Sequence, residues 1–146
     1  MNFSDFITNH GKRINTEHYI HLIQVSRIDG IISPSELEML HKEGRKFGLT
    51  DPEIDKLIKS EIHNGYHPPF SLNNKFEHLY NVAGMILADE VITEGERRII
   101  RRFAIEAGFD DKAIDKLMDL LFDGIQNNES EESILTKFKN YLFKDR

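Results

Sequence analysis

The feature that most constrains the fold of this chain is an internal repeat. Shifting the sequence by 60 residues aligns Glu17–Ile58 with Glu77–Met118 without a gap, and eleven of the 42 aligned positions are identical. Composition alone would give roughly two or three identities. Other aligned positions hold similar residues, such as Lys42 with Arg102. We therefore expect two copies of one structural unit, arranged with pseudo-symmetry.

Each copy is predicted to contain three helices. In the first helix, apolar residues recur at helical spacing up to an acidic turn, which is Asp29-Gly30 in the first copy and Asp89-Glu90 in the second. The second helix begins at a capping box, formed by Ser33–Glu36 or by Thr93–Glu96. In such a box, the side chains at the two ends satisfy backbone N–H groups that the start of a helix leaves unpaired.

The ends of the second helices and the starts of the third are also marked in the sequence. Gly48 and Gly108 fall where a helix is expected to end in the left-handed conformation. The third helices are predicted to open at Asp51-Pro52 and at Asp110-Asp111. The repeated unit is thus expected to be a helix, an acidic turn, a capped helix, a glycine and a third helix.

The segments outside the two copies complete the fold prediction. Ser4–His10 is expected to form a short helix, and a C-terminal helix is expected to start near Asn128–Ser130. Gly65–Ser71 joins the copies and holds two consecutive prolines, which forbid helix. No segment alternates with period two for long enough to predict a strand. The prediction is an all-α bundle of about seven to eight helices that forms one domain over residues 1–146.

Composition excludes several classes of function. The chain has no Cys, so thiol chemistry and disulfides are excluded. No apolar run approaches the roughly 20 residues that a membrane helix needs, so no membrane insertion is expected. No secretion signal follows Met1, and we expect a cytoplasmic protein. The net charge of −6 opposes binding to nucleic acid and favours cations or basic partners.

Two segments carry a resemblance to a known family. They are Asp29–Leu37, with the sequence DGIISPSEL, and Leu87–Glu96, with the sequence LADEVITEGE. Their pattern resembles the TerB-like family, which includes the tellurite-resistance protein TerB and domains of DnaJ-type co-chaperones, over about Glu17 to Ile125. The resemblance implies an all-helical bacterial protein linked to stress response and to tellurite or metal-ion resistance. It also implies acidic residues that bind a divalent metal, and no established catalytic activity. Glu90 departs from the first copy, which has Gly30 at that place.

The candidate metal ligands are five carboxylates at the acidic turns and capping boxes: Asp29, Glu36, Asp89, Glu90 and Glu96. Oxygen ligands of this kind suit Mg²⁺, Ca²⁺ or Mn²⁺. A structural interpretation competes with this one, because Glu36 and Glu96 are explained as caps and Asp29 as a turn former. Asp89 and Glu90 form the one adjacent acidic pair without a cap role, which makes the second copy the better metal candidate.

A metal-dependent hydrolase is the alternative from another class of function. Catalysis by two metals would require the repeated carboxylates to converge on ions roughly 4 Å apart, which the sequence does not decide. No Gly-rich phosphate loop, nucleophile elbow or His-Glu-x-x-His motif is present. The protein is therefore predicted to be non-enzymatic.

An EF-hand site for calcium is disfavoured. Asp29–Glu36 matches the second half of an EF-hand loop, but the first two carboxylate positions fall on Val25 and Arg27. In the second copy they fall on Met85 and Leu87. None of these four side chains ligates calcium.

A zinc site is disfavoured as well. His18 and His21 are three residues apart, and His63 and His67 are four apart. Structural zinc sites usually include thiolates, and the chain has no Cys. His18 recurs as His78 in the second copy, and a contact with the other copy is the simpler explanation of that match.

The segment Arg97–Arg102 holds the one concentrated basic patch. Its arginines form two rows on a helix, Arg97 with Arg101 and Arg98 with Arg102. Such rows suit a phosphate or an acidic partner, or form a solvated face. No aromatic residues are interleaved with them, which disfavours nucleic-acid binding. The leading hypothesis is a non-enzymatic module that binds a divalent cation, a protein partner, or both.

Overall fold

The computed structural model describes residues 6–7, 13–14, 16–26, 32–61, 64–87 and 92–144. Over these residues the chain has seven helices and one pair of two-residue strands, so its class is all-α, as predicted. None of these helices has the length and apolarity needed to cross a membrane. The helices are α1 (Thr16–Ser26), α2 (Pro34–Lys46), α3 (Asp51–Ser60), α4 (Leu72–Ile86), α5 (Glu94–Glu106), α6 (Asp111–Gln126) and α7 (Glu131–Phe143).

Two strands of two residues each precede α1. β1 (Phe6–Ile7) pairs antiparallel with β2 (Arg13–Ile14). The predicted short helix at Ser4–His10 is therefore wrong at Phe6–Ile7, and the rest of that segment lies outside the described residues. A helix this short gains few backbone hydrogen bonds for the cost of its nucleation. A short antiparallel pairing of strands can therefore be favoured in its place.

Side-chain caps explain where six of the helices begin. The capping boxes predicted at Ser33 and Thr93 are both complete. α3 begins at Asp51, as predicted, and Thr50 is its cap. Each cap accepts a hydrogen bond from a backbone N–H of the first turn. The caps are Ser33, Thr50, Ser71, Thr93, Asp110 and Ser130.

Several helices of the two copies begin or end 60 residues apart, which is the spacing that aligns their sequences. α2 runs from 34 to 46 and α5 from 94 to 106. α3 and α6 begin at 51 and 111, and α1 and α4 end at 26 and 86. Gly48 and Gly108 have φ values of 83° and 87°, a conformation that glycine adopts most readily. A duplicated unit would produce these coincidences.

The two copies meet where α1 packs on α4 and where α2 packs on α5. α1 also contacts α2 and α5, while α3 lies on α2, α6 lies on α5, and α7 covers α4 and α6. The core holds several large, fully buried side chains, among them Tyr19, Phe76, Phe103 and Phe138. Residues of α1, α2, α4 and α5 therefore lie where the copies touch.

Candidate functional site

Glu36 and Glu96 are the two candidate ligands within the described residues, and both are buried members of capping boxes. Glu36 is 8% exposed and Glu96 is 2% exposed. Oε1 of Glu36 accepts a hydrogen bond from the backbone N–H of Ser33 at 3.3 Å, and Oε1 of Glu96 accepts one from that of Thr93 at 2.9 Å. One oxygen of each glutamate is therefore committed to the start of its own helix.

The second oxygen of each glutamate is paired with a cation from the other copy. Arg102 of α5 lies 2.5 Å from Oε2 of Glu36, and Lys42 of α2 lies 3.2 Å from Oε2 of Glu96. At the 60-residue spacing, the two glutamates are matched with each other, and Lys42 is matched with Arg102. We call these two contacts the crossed ion pairs, because each joins the start of one helix to the interior of the other.

No protein-family model, curated protein or solved structure matches this chain. The role of the crossed ion pairs is therefore inferred from their own geometry. A buried carboxylate with a cap donor and a cation is compensated without a metal. Within the described residues, no group of three or more His, Asp or Glu side chains is placed to hold a metal ion. Asp29, Asp89 and Glu90 lie outside the described residues, so the predicted cation site has three ligands without a described position and two that already have partners.

A cavity of about 410 Å³ lies beside the ion pair of Lys42 and Glu96, between α2 and the start of α5. Its rim includes Arg45, which is already 3.0 Å from Asp51 of α3. Met39 is the apolar residue of the lining. Lys42, Glu96 and Arg45 are thus already paired within the protein.

A second cavity, of about 420 Å³, lies between α5 and α6. We call it the arginine groove. It is lined by three arginines, three acidic residues and two apolar residues: Arg97, Arg98, Arg101, Glu94, Asp115, Asp119, Met118 and Phe122.

The arginines of this groove differ in how they are paired. Arg101 lies 2.6 Å from Asp115. The guanidinium of Arg97 lies 4.9 Å from the centre of the Phe122 ring, a cation–π distance. Arg97 and Arg98 have no carboxylate partner within the part of the chain that the structure describes. Two of the three guanidinium groups are therefore available to an acidic ligand.

A partly buried cluster of histidines joins α1 to α4. The rings of His21 and His78 stack with their centroids 4.7 Å apart and an interplanar angle of 25°. We call them the histidine pair. The hydroxyl of Tyr66 lies 2.8 Å from Nδ1 of His78, and its ring meets His21 edge-on at 5.2 Å. In a second contact between the copies, Asn81 donates from Nδ2 to Nε2 of His18 at 2.9 Å. His18 and His78 thus each contact the other copy, as the sequence predicted.

Burial favours the uncharged form of both rings of the histidine pair. Burial, with a smaller contribution from the neighbouring His78, lowers the pKa of His21 to about 4. Burial also lowers the pKa of His78. Nδ1 of His21 is enclosed and has no hydrogen-bond partner among the described residues. The sequence did not indicate this pairing, because His21 is matched with Asn81 at the 60-residue spacing.

His41 differs from the histidine pair, because its pKa is raised and not lowered. Its two ring nitrogens lie 2.8 Å from Asp51 and 2.8 Å from Asp55 of α3. Partial burial lowers the pKa of His41, but the hydrogen bonds to the two carboxylates outweigh burial and raise it overall. At the matching place in the second copy, Arg101 contacts Asp115. Both copies thus use a basic side chain to hold the second helix on the third.

Proposed function

We propose that the chain is a non-enzymatic, TerB-like binding module of a bacterial stress response linked to tellurite or metal-ion resistance. The two acidic-turn segments of the TerB-like pattern support this proposal, as does the 60-residue spacing of the helix ends. The crossed ion pairs support it as well, because they use repeated carboxylates to hold α2 on α5. The metal-dependent hydrolase gains no support from Glu36 and Glu96, since each has a cap donor and a cation already.

The arginine groove is the observation that carries the binding function. Arg97 and Arg98 present guanidinium groups without carboxylate partners in the described part of a chain whose net charge is −6. Guanidinium groups form bidentate hydrogen bonds with carboxylates. Met118 and Phe122 add apolar surface to the lining of the groove. The partner we propose is therefore an acidic protein segment that carries an apolar side chain.

A peptide titration tests this partner class. The probe is a short peptide of glutamates with one central phenylalanine, and the control peptide has glutamine in place of every glutamate. We expect only the acidic peptide to shift the amide NMR signals of α5 and α6. We expect the variant with Arg97→Gln and Arg98→Gln to bind it about tenfold more weakly, since each exposed charge pair is worth about 0.5–1 kcal/mol.

A charge-matched variant separates the groove from general attraction. Lys56→Gln with Lys59→Gln removes two positive charges from exposed positions of α3. This variant should bind the acidic peptide as the parent does. Equal weakening in both variants, or signal shifts spread over the whole surface, would remove the arginine groove from the proposal.

The cation part of the proposal rests on the acidic turns, where Asp89 and Glu90 are adjacent in the sequence. A cation that binds only the folded state at about 100 times its Kd adds about 2.7 kcal/mol of stability. For a chain of this length, that raises the melting temperature by about 5–10 °C. We expect such a rise with millimolar Mg²⁺, Ca²⁺ or Mn²⁺, and its loss in the variant with Asp89→Asn and Glu90→Gln.

Two further variants separate a ligand from a cap. A glutamate that acts only as a cap and ion-pair partner loses the same stability with and without metal. Glu36→Gln and Glu96→Gln should therefore lower the melting temperature by a metal-independent amount if Asp89 and Glu90 are the main ligands. An unchanged parent melting temperature, with no binding heat in calorimetry, would withdraw the cation part and leave the protein partner.

A further inference from the structure

We propose that the histidine pair is an acid-sensitive latch, which holds α1 against α4 at neutral pH and releases both helices when its rings take up protons. The segment that carries Tyr66 is released with them. This inference does not depend on the partner of the arginine groove. It rests on the stacked rings, on an enclosed ring nitrogen and on the charges that face the pair.

The stacked geometry suits two neutral rings and opposes two charged ones. Imidazole rings 4.7 Å apart pack as flat apolar surfaces when they are neutral. Protonated, they would place like charges next to each other in a partly buried contact. Protonation of His21 would also put a hydrogen on Nδ1, which has no acceptor among the described residues. A buried donor without an acceptor destabilises the folded state.

The charges that face the pair do little to compensate protonation. Glu17 on α1 lies 3.7 Å from Nε2 of His21, but its side chain is 70% exposed, so water screens its charge. Glu77, next to His78 on α4, is also exposed. The other titratable groups here are His18 on α1 and Tyr66 in the connecting segment. α5 contributes Phe103, which carries no charge.

Tyr66 connects the histidine pair to the segment between the copies. Its hydroxyl contacts His78, and its ring packs on Phe103 of α5 at 4.8 Å. Burial raises the pKa of the Tyr66 hydroxyl, which therefore stays protonated. Residues 64–69 form no helix, and Tyr66 packs this stretch against the hydrophobic core. Separation of the two histidines would loosen both contacts.

The direction of the pH effect follows from the pKa values. An unfolded histidine has a pKa of about 6.5, whereas that of His21 in the folded protein is about 4. The folded state thus binds fewer protons, so the stabilisation is complete above about pH 6.5 and is lost as the pH falls toward 4. From His21 alone, the unfolding equilibrium constant should rise about 20-fold between about pH 7 and pH 5. His41 acts in the opposite direction, because its pKa is raised.

The chain supplies a matched control for this effect. At the 60-residue spacing, His18 corresponds to His78 and His21 corresponds to Asn81. The counterpart of the histidine pair is thus the contact of His18 with Asn81, in which an amide takes the place of one ring. His21→Asn therefore copies a contact that the protein already makes and removes the titrating group.

Urea unfolding of the parent, of His21→Asn and of the exposed-site control His67→Asn tests the latch. Between about pH 7 and pH 5, the unfolding constant should rise about 20-fold more in the parent and in His67→Asn than in His21→Asn. Amide hydrogen exchange, corrected for its intrinsic pH dependence, should rise in α1, α4 and residues 64–69 of the parent and of His67→Asn, but not of His21→Asn. Equal pH dependence in the parent and in His21→Asn would overturn the proposal. If His21→Asn does not fold, NMR titration of the His21 ring in the parent decides: a pKa near 4 supports the latch, and one near 6.5 overturns it.

Discussion

Replacing Arg102 with methionine is expected to lower the free energy of unfolding by about 3 kcal/mol, because it leaves Glu36 as a buried charge without its cation. The side chain of Glu36 is 10% exposed and that of Arg102 is 27% exposed, so water screens the pair weakly. Methionine keeps an apolar stem of similar length, and the loss therefore reports the charge more than the packing. Chemical denaturation of parent and variant measures the difference.

A neighbouring arginine provides the control for this prediction. Arg101 pairs with Asp115, whose side chain is 85% exposed, so Arg101→Met should cost less than about 1 kcal/mol. Adding Glu36→Gln to Arg102→Met should restore part of the lost stability, because no buried charge then remains. Glu36→Gln, Arg102→Met and the variant with both changes form a double-mutant cycle with the parent. Equal small losses in Arg101→Met and Arg102→Met would show that the ion pair does not stabilise the contact of α2 with α5.

Local features of the fold could be predicted because a few neighbouring residues decide them. A capping box involves side chains three residues apart, so Ser33 and Thr93 could be identified as helix starts from the sequence alone. The positive φ of Gly48 follows from the same kind of local rule. The predicted start of α3 at Asp51 agrees with the structure, although its capping box, Thr50 with Glu53, was not identified from the sequence.

The crossed ion pairs depend on helix packing, which local rules do not specify. In each copy an acidic and a basic residue are six positions apart: Glu36 and Lys42, or Glu96 and Arg102. Residues at this spacing do not face each other on a helix, so the charges are not satisfied within it. The repeated spacing indicates partners on another helix, but the packing of α2 on α5 decides which helix that is.

The histidine pair is harder to predict from the sequence than the crossed ion pairs are. His18 and His78 are matched between the copies, whereas His21 is matched with Asn81. The pairing of His21 with His78 is therefore not visible as a repeated pattern. The lowered pKa values follow from burial between α1 and α4, which only the packed structure provides.

Replacing Gly44 with alanine is expected to lower the free energy of unfolding by about 2 kcal/mol, although helix propensity alone predicts a gain of about 1 kcal/mol. A Cβ at Gly44 would lie 2.7 Å from Cδ1 of Ile54 and 2.7 Å from the hydroxyl of Tyr19. Both neighbours are fully buried, and Tyr19 is held by the hydrogen bond it donates to the carbonyl of Leu40 at 2.6 Å. Gly95→Ala is the control, since a Cβ there would be 3.8 Å from its nearest neighbour, and this change should not destabilise the protein.

The second copy suggests how the strain of Gly44→Ala can be relieved. It has Leu79 and Ala104, both fully buried, where the first copy has Tyr19 and Gly44. A large ring opposite a glycine in one copy thus corresponds to a smaller side chain opposite an alanine in the other. The variant with both Tyr19→Leu and Gly44→Ala should therefore be more stable, by about 1–2 kcal/mol, than the sum of the two single losses predicts. Strictly additive losses in denaturation experiments would show that the two copies fill this part of the core with different neighbours, and that their matched sequences do not extend to matched packing.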